Sequence, residues 1–124
     1  MSTILLAEDD PDIRHLVSFT LVRAGFEVVA VVDGSAALHE ARRQPPGLII
    51  LDVLMPRLSG IDVCRALRSD RHTAAVPVIM LTARARPQDL AHAYAAGATA
   101  YVVKPFLPRD LLTQVETVLA RVGT

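Results

Sequence analysis

Apolar residues come in short unbroken runs along this chain. Each run gives way to a stretch whose apolar positions recur every three or four residues. Unbroken runs of four to eight residues predict buried strands, and the three-to-four spacing predicts helices. Ile4–Ala7 is a first strand, ending abruptly in Glu8, Asp9 and Asp10. Asp10 before Pro11 is an N-cap followed by proline at the first helical position. The helix continues through Ile13, Leu16, Val17, Thr20 and Leu21, and Gly25 closes it. Phe26–Val32 is a β-branched second strand. Ser35 is read as the cap of a short helix reaching Arg43, where Pro45-Pro46-Gly47 breaks the pattern. Leu48–Leu51 is the third strand, Val53–Ser59 a loop and Gly60–Arg68 a helix. Ser69–Ala75 is polar and loop-like. Pro77–Leu81 is the fourth strand, and Pro87–Ala96 a helix closed by Gly97. Ala100–Val103 is the fifth strand, and Pro108–Val122 a last helix with Leu111, Leu112, Val115, Val118, Leu119 and Val122 as its apolar stripe.

Strand and helix therefore alternate five times. Continuous rather than alternating apolar strands point to a parallel sheet covered on both faces, with the helices as right-handed crossovers. The fold class is α/β, an open doubly wound sandwich. Composition agrees: 52% of the 124 residues are hydrophobic, and the 6 glycines bring the apolar share to about 57%, above the usual 45–50%. That excludes a disordered chain. Thirteen Lys and Arg balance thirteen Asp and Glu, so there is no whole-protein basic surface for nucleic acid. A single cysteine, Cys64, excludes an intrachain disulfide or a thiolate cluster and reads as a buried, inert thiol. The apolar runs are too short to span a bilayer, and no secretory signal opens the chain. A cytoplasmic protein is the expectation.

The chemistry lies at the ends of the strands. Glu8 and Asp9 come after the first, Asp52 after the third, Thr82 after the fourth and Lys104 after the fifth. An open parallel sheet points all its carboxyl ends to one edge, and ligands bind where the strand order reverses. Singly, each residue has an ordinary explanation: acids at a helix start, a loop aspartate, a capping threonine, a solvated lysine. Jointly they predict a site. Clustered carboxylates repel, so they need a cation, and a hard divalent ion that also takes phosphate and water suits them. Glu8, Asp9 and Asp52 contribute −3, which Mg2+ and Lys104 together cancel. Such a site suits phosphoryl transfer, which depends mostly on positioning and charge neutralisation. There is no Gly-rich nucleotide loop, and His15, His39, His72 and His92 have no metal or triad spacing.

The stretches Ile4-Leu5-Leu6-Ala7-Glu8-Asp9-Asp10, Leu51-Asp52-Val53-Leu54-Met55-Pro56, Ser59-Gly60, Leu81-Thr82-Ala83, Gly97-Ala98 and Tyr101-Val102-Val103-Lys104-Pro105-Phe106 resemble, in this order, the receiver domain of bacterial two-component response regulators. The likeness covers essentially the whole chain. It implies one receiver domain over residues 1–124, with a flavodoxin-like sheet of five parallel strands in the order 2-1-3-4-5 and five helices. It also implies that Asp52 is the phosphoacceptor. Mg2+, with Mn2+ as a substitute, would be held by Glu8, Asp9, Asp52 and the backbone carbonyl of Leu54. Lys104 and Thr82 would bind phosphoryl oxygens, Tyr101 would turn inward when Thr82 moves, and Ala83 and Pro105 would support the loops. The implied donor is a sensor histidine kinase or a phosphotransfer protein. The implied output is an effector bound through the fourth helix, fifth strand and fifth helix. Direct nucleic-acid binding, membrane association and enzymatic turnover are not expected.

Two features depart from the pattern. Glu8 stands where Asp is commoner. Leu107 stands where the last helix often has a polar cap, so fraying is expected there. Leu54 and Arg84 occupy variable positions beside the site. Two other functions compete. An Asp-based Mg2+-dependent phosphatase usually has a second Asp two residues after the first, and here that position is Leu54. A pseudo-receiver would bind partners without phosphorylation, but all the expected polar groups are present. Receivers of the winged-helix class typically open the fifth strand with two acids answered by an Arg in the last helix. Here the strand opens Thr99-Ala100-Tyr101 and the helix position is Gln114, so a monomer is expected. The polar Ser69–Ala75 segment resembles receivers that stand alone or precede signalling enzymes. Nothing follows Thr124, so the output is expected in another chain or in a larger protein of which this is the receiver.

Overall fold

The computed structural model describes residues 3–122, apart from the side chain of residue 122. Its elements are β1 (Thr3–Ala7), α1 (Pro11–Arg23), β2 (Glu27–Val31), α2 (Gly34–Arg43), β3 (Leu48–Asp52), α3 (Gly60–Ser69), β4 (Val78–Thr82), α4 (Pro87–Ala95), β5 (Ala100–Val103) and α5 (Pro108–Val122). All strand pairs are parallel, in the order β2-β1-β3-β4-β5. The five-stranded doubly wound sheet is as expected.

Strand side chains alternate between two cores. Ile4, Leu6, Leu48, Ile50, Ile79, Leu81 and Val102 meet Val17 and Leu21 of α1 and Leu111, Val115 and Val118 of α5. Leu5, Ala7, Ile49, Leu51, Val78 and Met80 meet α2, α3 and α4 through Ala37, Ala41, Val63, Cys64, Leu67 and Ala93. The central strands β3 and β4 are buried at every position, which is why their sequences are continuously apolar. Cys64 is buried, and burial pushes its thiol pKa up.

Several sequence expectations need correcting. The second strand is shorter than Phe26–Val32, and its residues are exposed or half-buried because β2 is an edge strand. Leu16 lies on the rim of its helix, 43% exposed. The cap of α2 is Asp33, whose carboxylate accepts from the Ala36 N–H at 2.8 Å; Ser35 is already inside the helix. A Cβ on Gly34 would sit 2.1 Å from the Leu58 carbonyl oxygen, so the helix starts where only glycine fits. Asp52 and Thr82 are the last residues of their strands rather than the first beyond them.

Other expectations hold. Asp10 caps α1 by accepting from the Asp12 and Ile13 N–H groups. Gly25 and Gly97 end their helices with φ of +99° and +106°. The fraying expected at Leu107 is the exception: the first turn of α5 is formed, the Leu107 carbonyl accepting from the Asp110 and Leu111 N–H groups. The Ser69–Ala75 segment is held in place. The buried Thr73 hydroxyl donates to the Leu67 carbonyl at 2.8 Å, and Arg68 donates to the carbonyls of Ala74, Val76 and Gly97. Among the described residues no helix is long and apolar enough to cross a membrane.

Candidate functional site

Strand register gathers the polar residues at one edge. Ala7 pairs with Leu51, Asp52 with Leu81, and Thr82 with Val103. Glu8 therefore leaves β1 beside Asp52, and Lys104 leaves β5 just beyond Thr82. The site sits between β1 and β3, where the sheet order reverses.

Glu8 is fully buried and Asp52 is 6% exposed, whereas Asp9 is exposed. One carboxylate oxygen from each of the three lies within 4.8 Å of the others. The Lys104 ammonium crosses from β5 and donates to Glu8 Oε1 at 2.7 Å and to Asp52 Oδ2 at 2.9 Å. The Leu54 N–H donates to Asp52 Oδ1 at 3.2 Å, and the Asp10 N–H to Glu8 Oε2 at 3.2 Å. Burial, reinforced by the adjacent Asp52 carboxylate, pushes the Glu8 pKa up to about 7 despite Lys104. Burial alone would lower the Lys104 pKa, but its hydrogen bonds to Glu8 and Asp52 outweigh that and raise it. Glu8 and Asp52 thus share that ammonium while Asp9 adds a third carboxylate, and the excess negative charge suits a divalent cation. The donors are all oxygen, the chemistry that Mg2+ takes, so the residues present fit that ion.

On the other side of Asp52, Thr82 is 1% exposed. Its hydroxyl accepts from the Arg84 N–H at 3.1 Å. The Arg84 carbonyl in turn accepts from the Tyr101 hydroxyl. Tyr101, Thr82, Val53, Ile61 and His92 line a pocket of about 180 Å³ against α4. Burial raises the Tyr101 pKa. Ala83 and Pro105 lie with Lys104, Phe106, Ile13 and Leu16 around an open apolar groove of about 310 Å³. The side chain of Leu54 is 53% exposed and apolar, so no second acid stands two residues from Asp52. All four histidines are exposed and outside the cluster.

Two contributors escaped the sequence reading. Gly60 starts α3 against the backbone of Asp52: a Cβ there would lie 2.4 Å from the Asp52 carbonyl oxygen. Arg14 reaches back from α1 to the carbonyls of Glu8 and Asp9. Its only sequence signal is a lone basic residue closing the acidic stretch that starts at Glu8.

Known proteins share both sequence and fold. The chain is 40% identical over 118 residues to the DNA-binding response regulator MtrA of Mycolicibacterium smegmatis, covering 95% of this chain and 50% of MtrA. It is 41% identical over 121 residues to the DNA-binding dual master transcriptional regulator RpaA of Synechocystis, covering 98% and 50%. The chain thus spans about half the length of these curated relatives. The chemotaxis response regulator CheY4 of Vibrio cholerae superposes with a TM-score of 0.91 at 37% identity, over 95% of this chain and 98% of CheY4. The profile of the response regulator receiver domain matches residues 4–116, and the chain belongs to that family of two-component signalling domains.

Proposed function

We propose that the chain accepts a phosphoryl group on Asp52 and converts that event into a change on the α4–β5 face. The observation that carries this reading is the Lys104 ammonium held between Glu8 and Asp52, with Asp9 completing the acidic cluster. An Asp52 oxygen attacks the phosphorus of a phosphohistidine on a histidine kinase or phosphotransfer protein. The P–N bond breaks, the imidazole leaves with its electron pair, and an acyl phosphate forms. Glu8, Asp9, Asp52 and the Leu54 carbonyl would hold Mg2+, or Mn2+ in its place; the bound ion supplies positive charge to the phosphoryl oxygens. Lys104 binds one of those oxygens, and Ala83 and Pro105 frame the loops around it.

Phosphorylation moves the formal charge of the Mg2+-loaded site from zero to about −1, because the phosphoryl group carries about −2. It also adds acceptor oxygens. Thr82 donates its hydroxyl to one of them. That hydroxyl is tied through Arg84 to Tyr101, so movement of Thr82 shifts the hold on Tyr101 and, through it, α4 and β5. A bias of about 1–3 kcal/mol between two arrangements is enough for regulation. The chain turns over no substrate beyond its own phosphoryl group, since the apolar Leu54 offers no acid or base to speed hydrolysis.

With Mg2+ and a small acyl phosphate or phosphoramidate donor, intact-mass measurement shows one hydroxylamine-sensitive phosphoryl group on the wild-type chain and none on Asp52→Asn. Equal labelling of the variant removes Asp52 as the acceptor.

We also propose that the chain is a monomer working in the cytoplasm. The α4–β5–α5 face has Thr99, Ala100 and Gln114 where an acidic pair and an arginine would set a charged dimer register. Sedimentation of the activated chain at low and high salt shows no salt-sensitive dimer; a tight dimer broken by salt contradicts this.

A further inference from the structure

We infer that Arg14 is a positioning residue for the cation-binding loop, its guanidinium bracing the peptide that carries Glu8 and Asp9. The inference rests on the reading of those two acids as metal-facing.

The Asp9 carboxylate makes no hydrogen bond or ion pair among the described residues, yet one of its oxygens lies within 4.8 Å of Glu8 and Asp52. Its position is therefore set by backbone. The Glu8 N–H bonds to the Val31 carbonyl at 3.1 Å, the last ladder bond of this stretch. Asp10 already belongs to the cap of α1. The intervening carbonyls of Glu8 and Asp9 lie beyond the strand and before the helix. Arg14 Nη1 donates to both, at 3.0 and 3.3 Å. The Arg14 N–H donates to the Asp10 carbonyl at 2.9 Å, so the brace and the loop are fixed to the same helix turn.

Charge makes a brace necessary. Glu8, Asp9, Asp10 and Asp12 crowd five residues, with Asp52 alongside. Their repulsion favours an opened loop when no cation is bound. Arg14 is always protonated and opposes that opening. Its two effects on metal affinity have opposite signs. As a nearby positive charge it weakens cation binding, whereas as a brace it strengthens binding by holding the acids in place. Half-buried, and bonded to carbonyls rather than carboxylates, it acts mainly as a brace.

The test is a Mg2+ titration of the full chain without phosphodonor, followed by amide NMR shifts at Asp9, Asp10 and Val53. Groups that orient metal ligands typically change affinity by 10–100-fold, so Arg14→Ala should bind Mg2+ about tenfold more weakly. Arg14→Lys keeps the charge but reaches fewer carbonyl partners, and should fall between that variant and the wild type. Val17→Ala, a core truncation on the same helix, should lower the urea midpoint and leave Mg2+ affinity unchanged. Arg14→Ala binding as tightly as wild type, or more tightly, overturns the inference. So does an equal loss of affinity in Val17→Ala. A wild-type chain that binds no Mg2+ contradicts the reading of the site itself, whereas equal binding by wild type and Arg14→Ala contradicts the brace alone.

Discussion

In metal-free buffer above pH 7, Lys104→Met unfolds at a lower urea concentration than the wild type, with a loss of about 3 kcal/mol, and saturating Mg2+ restores much of it. Among the described residues the ammonium is the one cation in contact with both buried acids, 2.7 Å from Glu8 and 2.9 Å from Asp52. Methionine fills similar space without charge, so the loss reads electrostatics rather than packing. Removing one partner of a buried pair leaves uncompensated charge, which costs about 3–5 kcal/mol. The low end applies because Glu8, already raised to about 7, relieves the repulsion by taking up a proton. A divalent cation supplies the missing charge directly, hence the recovery. The variant should also show a weaker response to phosphorylation, having lost a charge-assisted bond to a phosphoryl oxygen. Unchanged urea midpoints in metal-free buffer would show that Lys104 does not neutralise the pair.

Gly60→Ala damages both fold and site. The added methyl would lie 2.4 Å from the Asp52 carbonyl oxygen and 3.0 Å from the Asp52 carbonyl carbon and the Val53 Cα. These are backbone atoms with no rotamer to give way, and the Gly60 N–H is already bonded to the Val53 carbonyl at 2.9 Å. Either α3 backs away or the end of β3 moves. Overpacking of this kind costs about 1–3 kcal/mol. Displacing a reacting group by an ångström costs about 100-fold in rate, so phosphoryl labelling of Asp52 should slow by about one to two orders of magnitude. Gly25→Ala is the contrast: among the described residues, its chain neighbours aside, no atom lies within 4 Å of the added methyl, and only its φ of +99° is strained. It should lose about 1–2 kcal/mol and keep the wild-type labelling rate. Wild-type labelling in Gly60→Ala would show that α3 does not fix the position of Asp52.

The strand–helix alternation was readable because the buried strands are continuously apolar and each ends in a residue of different character. That contrast also exposed Glu8, Asp9, Asp52, Thr82 and Lys104 as one group. The strand order was not in the residue pattern; it came from family resemblance. Features set by close approach between distant segments stayed hidden. Gly60 reads as an ordinary turn residue until Asp52 is placed against it. Asp33 and Ser35 are equally good capping residues, and the Leu58 carbonyl crowding Gly34 fixes where the helix begins. The tie from Tyr101 to the Arg84 carbonyl spans 17 residues and has no local signature. The exposure of β2 follows from its edge position, which only the sheet order reveals.

The central claim is that occupancy at Asp52 is transmitted through Thr82, Arg84 and Tyr101 to α4 and β5. Amide NMR of the chain before and after adding Mg2+ with beryllofluoride, a phosphoryl mimic, tests it most directly. The largest shifts should fall at Asp52–Leu54 and Thr82–Arg84, along α4 and on β5, and should vanish in Asp52→Asn. Shifts confined to β2 and α2, or shifts equally large in Asp52→Asn, would contradict the account.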